Sequence, residues 1–273
     1  MRSVEPLRNL GLFLSLLTRH PLELRDRLAG YAELGLERLS GASPSYETVG
    51  WEQALRDLEA RSGCVVGILE EPALARVEED TRRLLGDIRC GDTFSQRWAA
   101  DSLFARSCYL LCRLIQPSVV VETGVAYGVS SAFILRALEE NSRGTLHSVD
   151  LPPLRRETER FWGIAVPERF RGRWRLHRGA SSRMLPRLLQ ETGPVDFFVH
   201  DSLHTLRNMR REFETVWPRL RTGGALLADD VERNAAFDEL RKNNPSFWRV
   251  VGDREKDPLH GRAAPVVFGI AIK

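Results

Sequence analysis

From about Thr93 onward, short apolar runs alternate with segments of helix length. The runs are Val119–Glu122, Thr145–Asp150, Trp174–His177, Val195–His200 and Ala225–Ala228. Helical patterns lie at Ser130–Glu140, Ser182–Gln190, Leu206–Leu220 and Ala235–Lys242. None of the runs has the regular polar alternation of a half-exposed strand, so each is expected to be buried on both faces. Helices between them supply the crossovers that parallel strands require. The expectation is an α/β domain, a parallel sheet between two helical layers. Trp248–Val251 and Val266–Ile272 break the pattern, having only the polar stretch Gly252–Ala264 between them. They are expected to pair antiparallel across a long loop.

The residues before this alternation read differently. Gln96–Gln116 is a long helix candidate stopped by Pro117. Residues 1–92 read as a helical extension to a domain at 93–273, with helices at Leu22–Leu39, Glu52–Ala60 and Pro72–Leu85 and a turn-rich linker at Ser40–Ser45. The apolar run Leu10–Leu17 is eight residues long, well short of the roughly 20 needed to span a bilayer. His20-Pro21 follows it, not a small-residue cleavage site. No transmembrane segment is expected; core docking is favoured for this helix over a membrane-surface position, and the extension offers a surface for a homo-oligomer.

Composition narrows the range of functions. The chain is 42% hydrophobic and 28% charged, as in soluble globular proteins. Its 40 basic and 37 acidic side chains are interspersed and leave a net charge of +3, so no nucleic-acid partner is expected. Cys64, Cys90, Cys108 and Cys112 have no framework spacing. Cys108 and Cys112 share one side of a helix without a second pair to complete a metal site. Buried, reduced thiols and a cytoplasmic location are expected.

The segment 119–135, VVVETGVAYGVSSAFIL, reads as a strand, a glycine turn and a helix. Gly124 and Gly128 permit a tight turn and close approach of a ligand. Ser130 and Ser131 suit a helix N-terminus, where free amides favour an anionic group. The nicotinamide fingerprint fails because Ala126 replaces its middle glycine, and no G-K-[ST] completes a phosphate loop. Asp150 ends the next strand, 22 residues past Gly128, where such folds place an acid on a ribose. Further on, Asp201 and His204 follow one strand and Asp229-Asp230 end the next. In a parallel sheet these strand ends share the edge that holds Gly124 and Asp150. Hard oxygen ligands of this kind suit Mg²⁺ better than Zn²⁺.

The E-x-G-x-x-x-G turn resembles motif I of class I S-adenosylmethionine-dependent methyltransferases, and Gly179-Ala180-Ser181 resembles the adenine-contacting segment of catechol-type enzymes, with Ser181 also expected as the N-cap of the helix Ser182–Gln190. The likeness covers about residues 96–273. It implies a Rossmann-like seven-stranded methyltransferase sheet, mostly parallel with an antiparallel last strand. It further implies cofactor contacts from Glu122, Gly124, Val125, Ala126, Tyr127, Gly128, Ser130, Ser131, Asp150, Ala180, Ser181 and Asp201. Asp201, Asp229 and Asp230 match the metal-binding acids of the catechol-type O-methyltransferases, and His204 stands where those enzymes have a basic lysine. Two departures are an Asp-Asp pair for Asp-Asn, and histidine for lysine. Bacterial methyltransferases of sugars and secondary metabolites share the Asp-x-x-His pattern. The resemblance implies methyl transfer to a hydroxyl of a small-molecule acceptor, with His204 and Asp201 catalytic and Mg²⁺ or another divalent ion bound. A metal-independent methyltransferase and a non-catalytic cofactor-binding or partner-binding domain remain open. Asp196, His200, Trp162, Trp174 and Trp217 are expected to be structural, and the acceptor pocket to be shaped by 151–173, 252–264 and the N-terminal helices.

Overall fold

The computed structural model describes residues 10–40, 46–86, 88, 99–254, 259 and 265–273. Its strands are β1 (Val119–Thr123), β2 (Thr145–Asp150), β3 (Trp174–Arg178), β4 (Val195–His200), β5 (Leu220–Asp229), β6 (Phe247–Asp253) and β7 (Val266–Ile272). They form one sheet in the order β3-β2-β1-β4-β5-β7-β6. β1 to β5 pair parallel, and β7 runs antiparallel between β5 and β6. The expected terminal hairpin is therefore present. The strand order reverses between β1 and β4, which opens a crevice at their carboxyl ends.

The helices are α1 (Leu10–Arg19), α2 (Pro21–Ser40), α3 (Trp51–Ser62), α4 (Val65–Leu69), α5 (Pro72–Gly86), α6 (Ser102–Ile115), α7 (Val129–Glu140), α8 (Ser181–Thr192), α9 (Leu206–Val216) and α10 (Ala236–Glu239). Successive strand residues point to opposite faces, and two cores result. Val120, Phe197 and Leu227 pack with α3 to α7, whereas Val121, Phe198 and Leu226 pack with α8 to α10. Burial on both faces explains why β1 and β4 carry no polar alternation, whereas the edge strand β3 is not buried on both faces as expected and exposes Arg175 and Arg178.

Element boundaries differ from expectation where local chemistry intervenes. α6 starts at Ser102, and residues 96–98 of the longer expected helix lie outside the described residues. It stops where Gln116 turns left-handed at φ 48°, ahead of Pro117. β5 begins five residues before the expected Ala225, because exposed Arg221, Thr222 and Gly223 disguise its first half. α10 is one turn, continued by a tighter turn at Leu240–Asn243, and does not extend as an α-helix to Lys242.

Residues 46–86 pack as part of the sheet's body. Val49 donates to Val250 O and accepts from Gly252 N, both at 2.9 Å, extending the outer edge of β6. Ala54, Leu58, Val65, Leu74 and Val77 share one core with Phe104 and Phe133. The expected linker beyond Ser40 lies outside the described residues.

α1 and α2 depart from expectation. Leu17 is exposed, and Phe13 meets Tyr31 of α2 edge-on at 6.4 Å, so the described side chains of α1 do not dock on the sheet's core. The leucines of α2 largely face outward while its charged face packs inward. Among the described residues, no helix is long and apolar enough to cross a membrane. Cys108 and Cys112 are buried free thiols, and burial pushes both up in pKa. Cys64 is exposed, contrary to expectation, and Cys90 lies outside the described residues.

Candidate active site

The glycine turn lies at the strand-order reversal. Gly124, at φ 86°, follows β1 so tightly that a Cβ there would fall 1.9 Å from the Asp201 carbonyl oxygen. Asp201 N in turn donates to Thr123 O at 2.8 Å. The absence of a side chain at 124 is therefore what brings the β1 and β4 ends together. Gly128, at φ 81°, lies against Gly163, whose amide donates to Ala126 O at 2.9 Å. Ala126 adopts φ 46°, the left-handed conformation that glycine takes without strain. Val125 is buried and Tyr127 fully so.

The turn is held from below and beside. Glu122 is fully buried and accepts from the hydroxyls of Ser130, Ser131 and Ser148, each at 2.6 Å. Burial raises its pKa against the opposing pull of those three donors. Ser130 and Ser131 lie in the first turn of α7, but their hydroxyls serve Glu122 instead of capping the helix. Asp150 Oδ2 accepts from Val125 N and Ala126 N at 3.1 Å and from Trp162 Nε1 at 2.9 Å. Burial raises its pKa, and these donors oppose the rise. Trp162 thus joins the expected ribose acid to the segment that covers the turn.

At the neighbouring strand end, Gly179 N donates to Asp150 O at 2.9 Å. Ala180 N donates to Asp26 Oδ2 of α2 at 3.3 Å. Ser181 is not the N-cap: Ala180 occupies that position, and the Ser181 hydroxyl donates to Asn208 Oδ1 at 3.4 Å. Asp26 was not foreseen, since nothing local links an acid in the N-terminal helices to β3.

The acids converge as the strand order requires. Single ligand atoms of Asp201, His204 and Asp229 all lie within 4.8 Å of one another. The side chains of Asp201 and His204 are each 16% exposed, and His204 Nε2 stands 3.8 Å from Asp201 Oδ1. His204 Nδ1 faces Asp230 Oδ2 at 3.6 Å, and that carboxylate is also 2.5 Å from Arg233. Asp230 therefore belongs to the constellation but is engaged by Arg233. Burial and repulsion from Asp230 hold Asp201 well above the usual carboxylate range, and burial with repulsion from Asp201 does the same for Asp229. Asp101, before α6, adds to the repulsion on both. Burial and the His200 ring push His204 well below its usual value, which favours the neutral imidazole. Its Nε2 is buried without a hydrogen-bond partner.

Beneath this edge lies a network that the local sequence hints at only through periodicity. Glu212 shares the inward face of α9 with Met209, Phe213 and Val216. It accepts from Thr123 Oγ1 at 2.6 Å, Ser202 Oγ at 2.8 Å and Asn208 Nδ2 at 3.0 Å, and pairs with His200 Nδ1 at 2.7 Å. Burial would raise its pKa, yet His200 and the surrounding donors bring it down to about 2. Asp196, His200, Trp174 and Trp217 are structural, as expected. Asp196 holds Ser118 N and Val119 N at 2.6 and 2.8 Å, and Trp174 Nε1 donates to Ser148.

Residues 121–231 match a family described as a methyltransferase domain. No curated protein matches the chain. Among solved structures, the chain is similar to the O-methyltransferase TomG of Streptomyces achromogenes, involved in tomaymycin synthesis and solved with S-adenosylmethionine. That likeness has 18% identity, a TM-score of 0.51, and covers 74% of this chain and 90% of the other. An O-methyltransferase from Bacillus cereus in complex with S-adenosylhomocysteine has 13% identity and a TM-score of 0.50, covering 80% of this chain and 100% of the other. A precorrin-6y C5,15-methyltransferase from Geobacter metallireducens has 12% identity and the same TM-score, covering 66% and 92%. At such identities the likeness carries the fold. Residues 121–231 thus match a methyltransferase-domain family, and the chain has the fold of the class I S-adenosylmethionine-dependent methyltransferases.

Proposed function

We propose that this protein transfers a methyl group from S-adenosylmethionine to a hydroxyl of a small molecule with the help of a divalent cation. The observation that carries the proposal is the convergence of Asp201, His204 and Asp229 within 4.8 Å, beside the Gly124 turn. Asp150, with Val125, Ala126 and Tyr127, would hold the ribose and methionine side of the cofactor, and Gly179 to Ser181 its adenine side. The fold by itself leaves the acceptor atom open, since it serves both O-methyltransferases and a C-methyltransferase in the structures it resembles.

The donor set fits a hard divalent ion. Two half-buried carboxylates repel one another, and the His204 Nε2 beside them lacks a partner. Asp201 and Asp229 are the residues that would hold the ion, and Asp230 would join them on releasing Arg233. When bound, such an ion lowers the pKa of an acceptor hydroxyl and orients it. In the transfer, the acceptor oxygen forms a bond to the methyl carbon as the sulfur–carbon bond breaks, and the hydroxyl proton passes to His204 Nε2. Positioning is the chain's main contribution and supplies roughly 7–11 kcal/mol when reacting groups are well aligned. Burial keeps His204 neutral at neutral pH, the form a base requires. Free thiols at Cys64, Cys108 and Cys112 fit a reducing, cytoplasmic setting.

The test is methylation of a panel of hydroxylated acceptors with labelled cofactor, with and without EDTA, alongside calorimetry with S-adenosylmethionine and S-adenosylhomocysteine. Cofactor binding with activity that EDTA abolishes and Mg²⁺ or Mn²⁺ restores is expected. Activity untouched by EDTA and by Asp229→Asn removes the metal from the proposal. Binding of neither cofactor form removes the enzyme itself. His204 as a metal ligand is separated from His204 as base by His204→Ala, which lowers cation affinity only in the first case.

A further inference from the structure

The α1–α2 segment is built with its charged side inward. Residues 10–40 contain four acids, Glu23, Asp26, Glu33 and Glu37, and all four engage the sheet-bearing body. Glu23 pairs with Arg178 at 3.1 Å, Asp26 with Arg183 at 2.7 Å and Glu33 with Arg211 at 2.8 Å, while Glu37 accepts Leu206 N at 3.0 Å. Arg27 adds a bond to Pro152 O at 2.5 Å. These contacts clamp α2 across the carboxyl ends of β2 and β3 and the loop after β4. A helix on a water-facing surface ordinarily does the reverse and buries its leucines.

What α2 leaves outward is apolar and cationic. Seven large hydrophobic side chains are exposed among the described residues, and six of them lie here: Leu17, Leu22, Leu28, Tyr31, Leu34 and Leu36, at 37–61% exposure. Among the described residues of 10–40, the exposed ionised side chains are Arg19, Arg25 and Arg38, with no acid among them. Arg25 comes no nearer to Asp26 than 3.8 Å and is 66% exposed. Exposed apolar side chains concentrated on one segment in this way mark an interaction surface.

We infer that this face lies on an anionic lipid surface, with the leucines in the interfacial layer and Arg19, Arg25 and Arg38 at the headgroups. Charge complementarity selects that occupant. A second copy of the same face would bring arginines against arginines with no acid to pair them, whereas an anionic bilayer meets both the apolar and the cationic character. Glu23, Asp26 and Glu33 are neutralised by Arg178, Arg183 and Arg211, and Glu37 is turned inward to Leu206 N, so the acids do not face the approach. The inference does not depend on the methyl-transfer chemistry.

The experiment is flotation of the full chain with phosphatidylcholine vesicles, with and without phosphatidylglycerol, at low and high salt. Binding to the anionic vesicles that weakens with salt is expected. Each arginine near such a surface contributes roughly fivefold in partitioning, so Arg25→Ala with Arg38→Ala should weaken binding roughly 30-fold. Leu28→Glu with Leu36→Glu should abolish it, and both positions are exposed, so the core is untouched; circular dichroism checks the fold. No flotation on anionic vesicles overturns the inference, as does equal binding to neutral ones. A concentration-dependent dimer by light scattering that Leu28→Glu with Leu36→Glu dissociates, without flotation, assigns the face to a second copy instead.

Discussion

Glu212 offers a quantitative test of how the site edge is held. Its carboxylate is buried under four partners drawn from β1, β4, the loop after β4 and α9: Thr123, His200, Ser202 and Asn208. Burial alone would raise its pKa, but His200 and the hydroxyl donors outweigh it and bring the value from 4.5 to about 2. That depression of roughly 2.5 units corresponds to about 3 kcal/mol of stabilisation by the ionised form, at 1.36 kcal/mol per unit. Glu212→Gln keeps the shape and removes the charge, so it should cost about 3 kcal/mol at neutral pH, or roughly 6–12 °C in Tm for a chain of this size. A depressed carboxylate stabilises fully above its unfolded value of 4.5, and the benefit is lost as pH falls towards 2. Roughly 2 kcal/mol of the difference should therefore be gone at pH 3. Urea unfolding of native and variant proteins in parallel at pH 7 and pH 3 measures this, since other titrating groups cancel in the comparison. Equal midpoints at pH 7, or a gap that does not shrink at pH 3, would refute the reasoning.

Four further outcomes follow from the same geometry. Because Asp201 and Asp229 are raised in pKa by burial and mutual repulsion, they favour the folded state at low pH and strain it as pH rises through their folded values. Asp229→Asn should therefore raise the Tm of the metal-free protein at pH 8 more than at pH 5, and should abolish the Mg²⁺-dependent rise in Tm that the proposed metal site predicts for the native chain. His204→Ala should lower turnover by roughly 10²–10⁴-fold, the range for loss of a general base, with S-adenosylhomocysteine affinity in calorimetry unchanged. Gly124→Ala places a methyl 1.9 Å from the Asp201 carbonyl oxygen, so thermal denaturation should show a severe loss of stability, and cofactor binding should vanish with it. Ala126→Gly relieves a left-handed φ of 46° and should raise stability by about 1 kcal/mol in chemical denaturation; a neutral or destabilising result would mean that the turn is not strained.

The missing middle glycine at Ala126 illustrates a limit of motif reading. Its absence excluded the nicotinamide pattern, yet the chain takes the left-handed turn regardless, held by Asp150 and Gly163. Ser181 shows a second limit: a serine before a helical pattern suggested a cap, but Asn208 of another helix competes for its hydroxyl. Glu212 was legible only as a position on the inward stripe of α9, because three of its four partners come from other elements.

The sequence by itself determined the parallel sheet, the antiparallel β7, and the edge on which Gly124, Asp150, Asp201 and Asp229 meet. Apolar runs without alternation, separated by helix-length segments, allow little else, and chain direction in a parallel sheet puts the carboxyl ends together. Only the tertiary structure decided which face of α2 is inward, how Asp230 is divided between Arg233 and His204, and that Trp162 and Asp26 reach Asp150 and Ala180 at the strand-end edge. Each of those depends on groups far apart in the chain. Periodicity reports the apolar side of a helix, but not the arginines and backbone amides that another element will bring to its charged side.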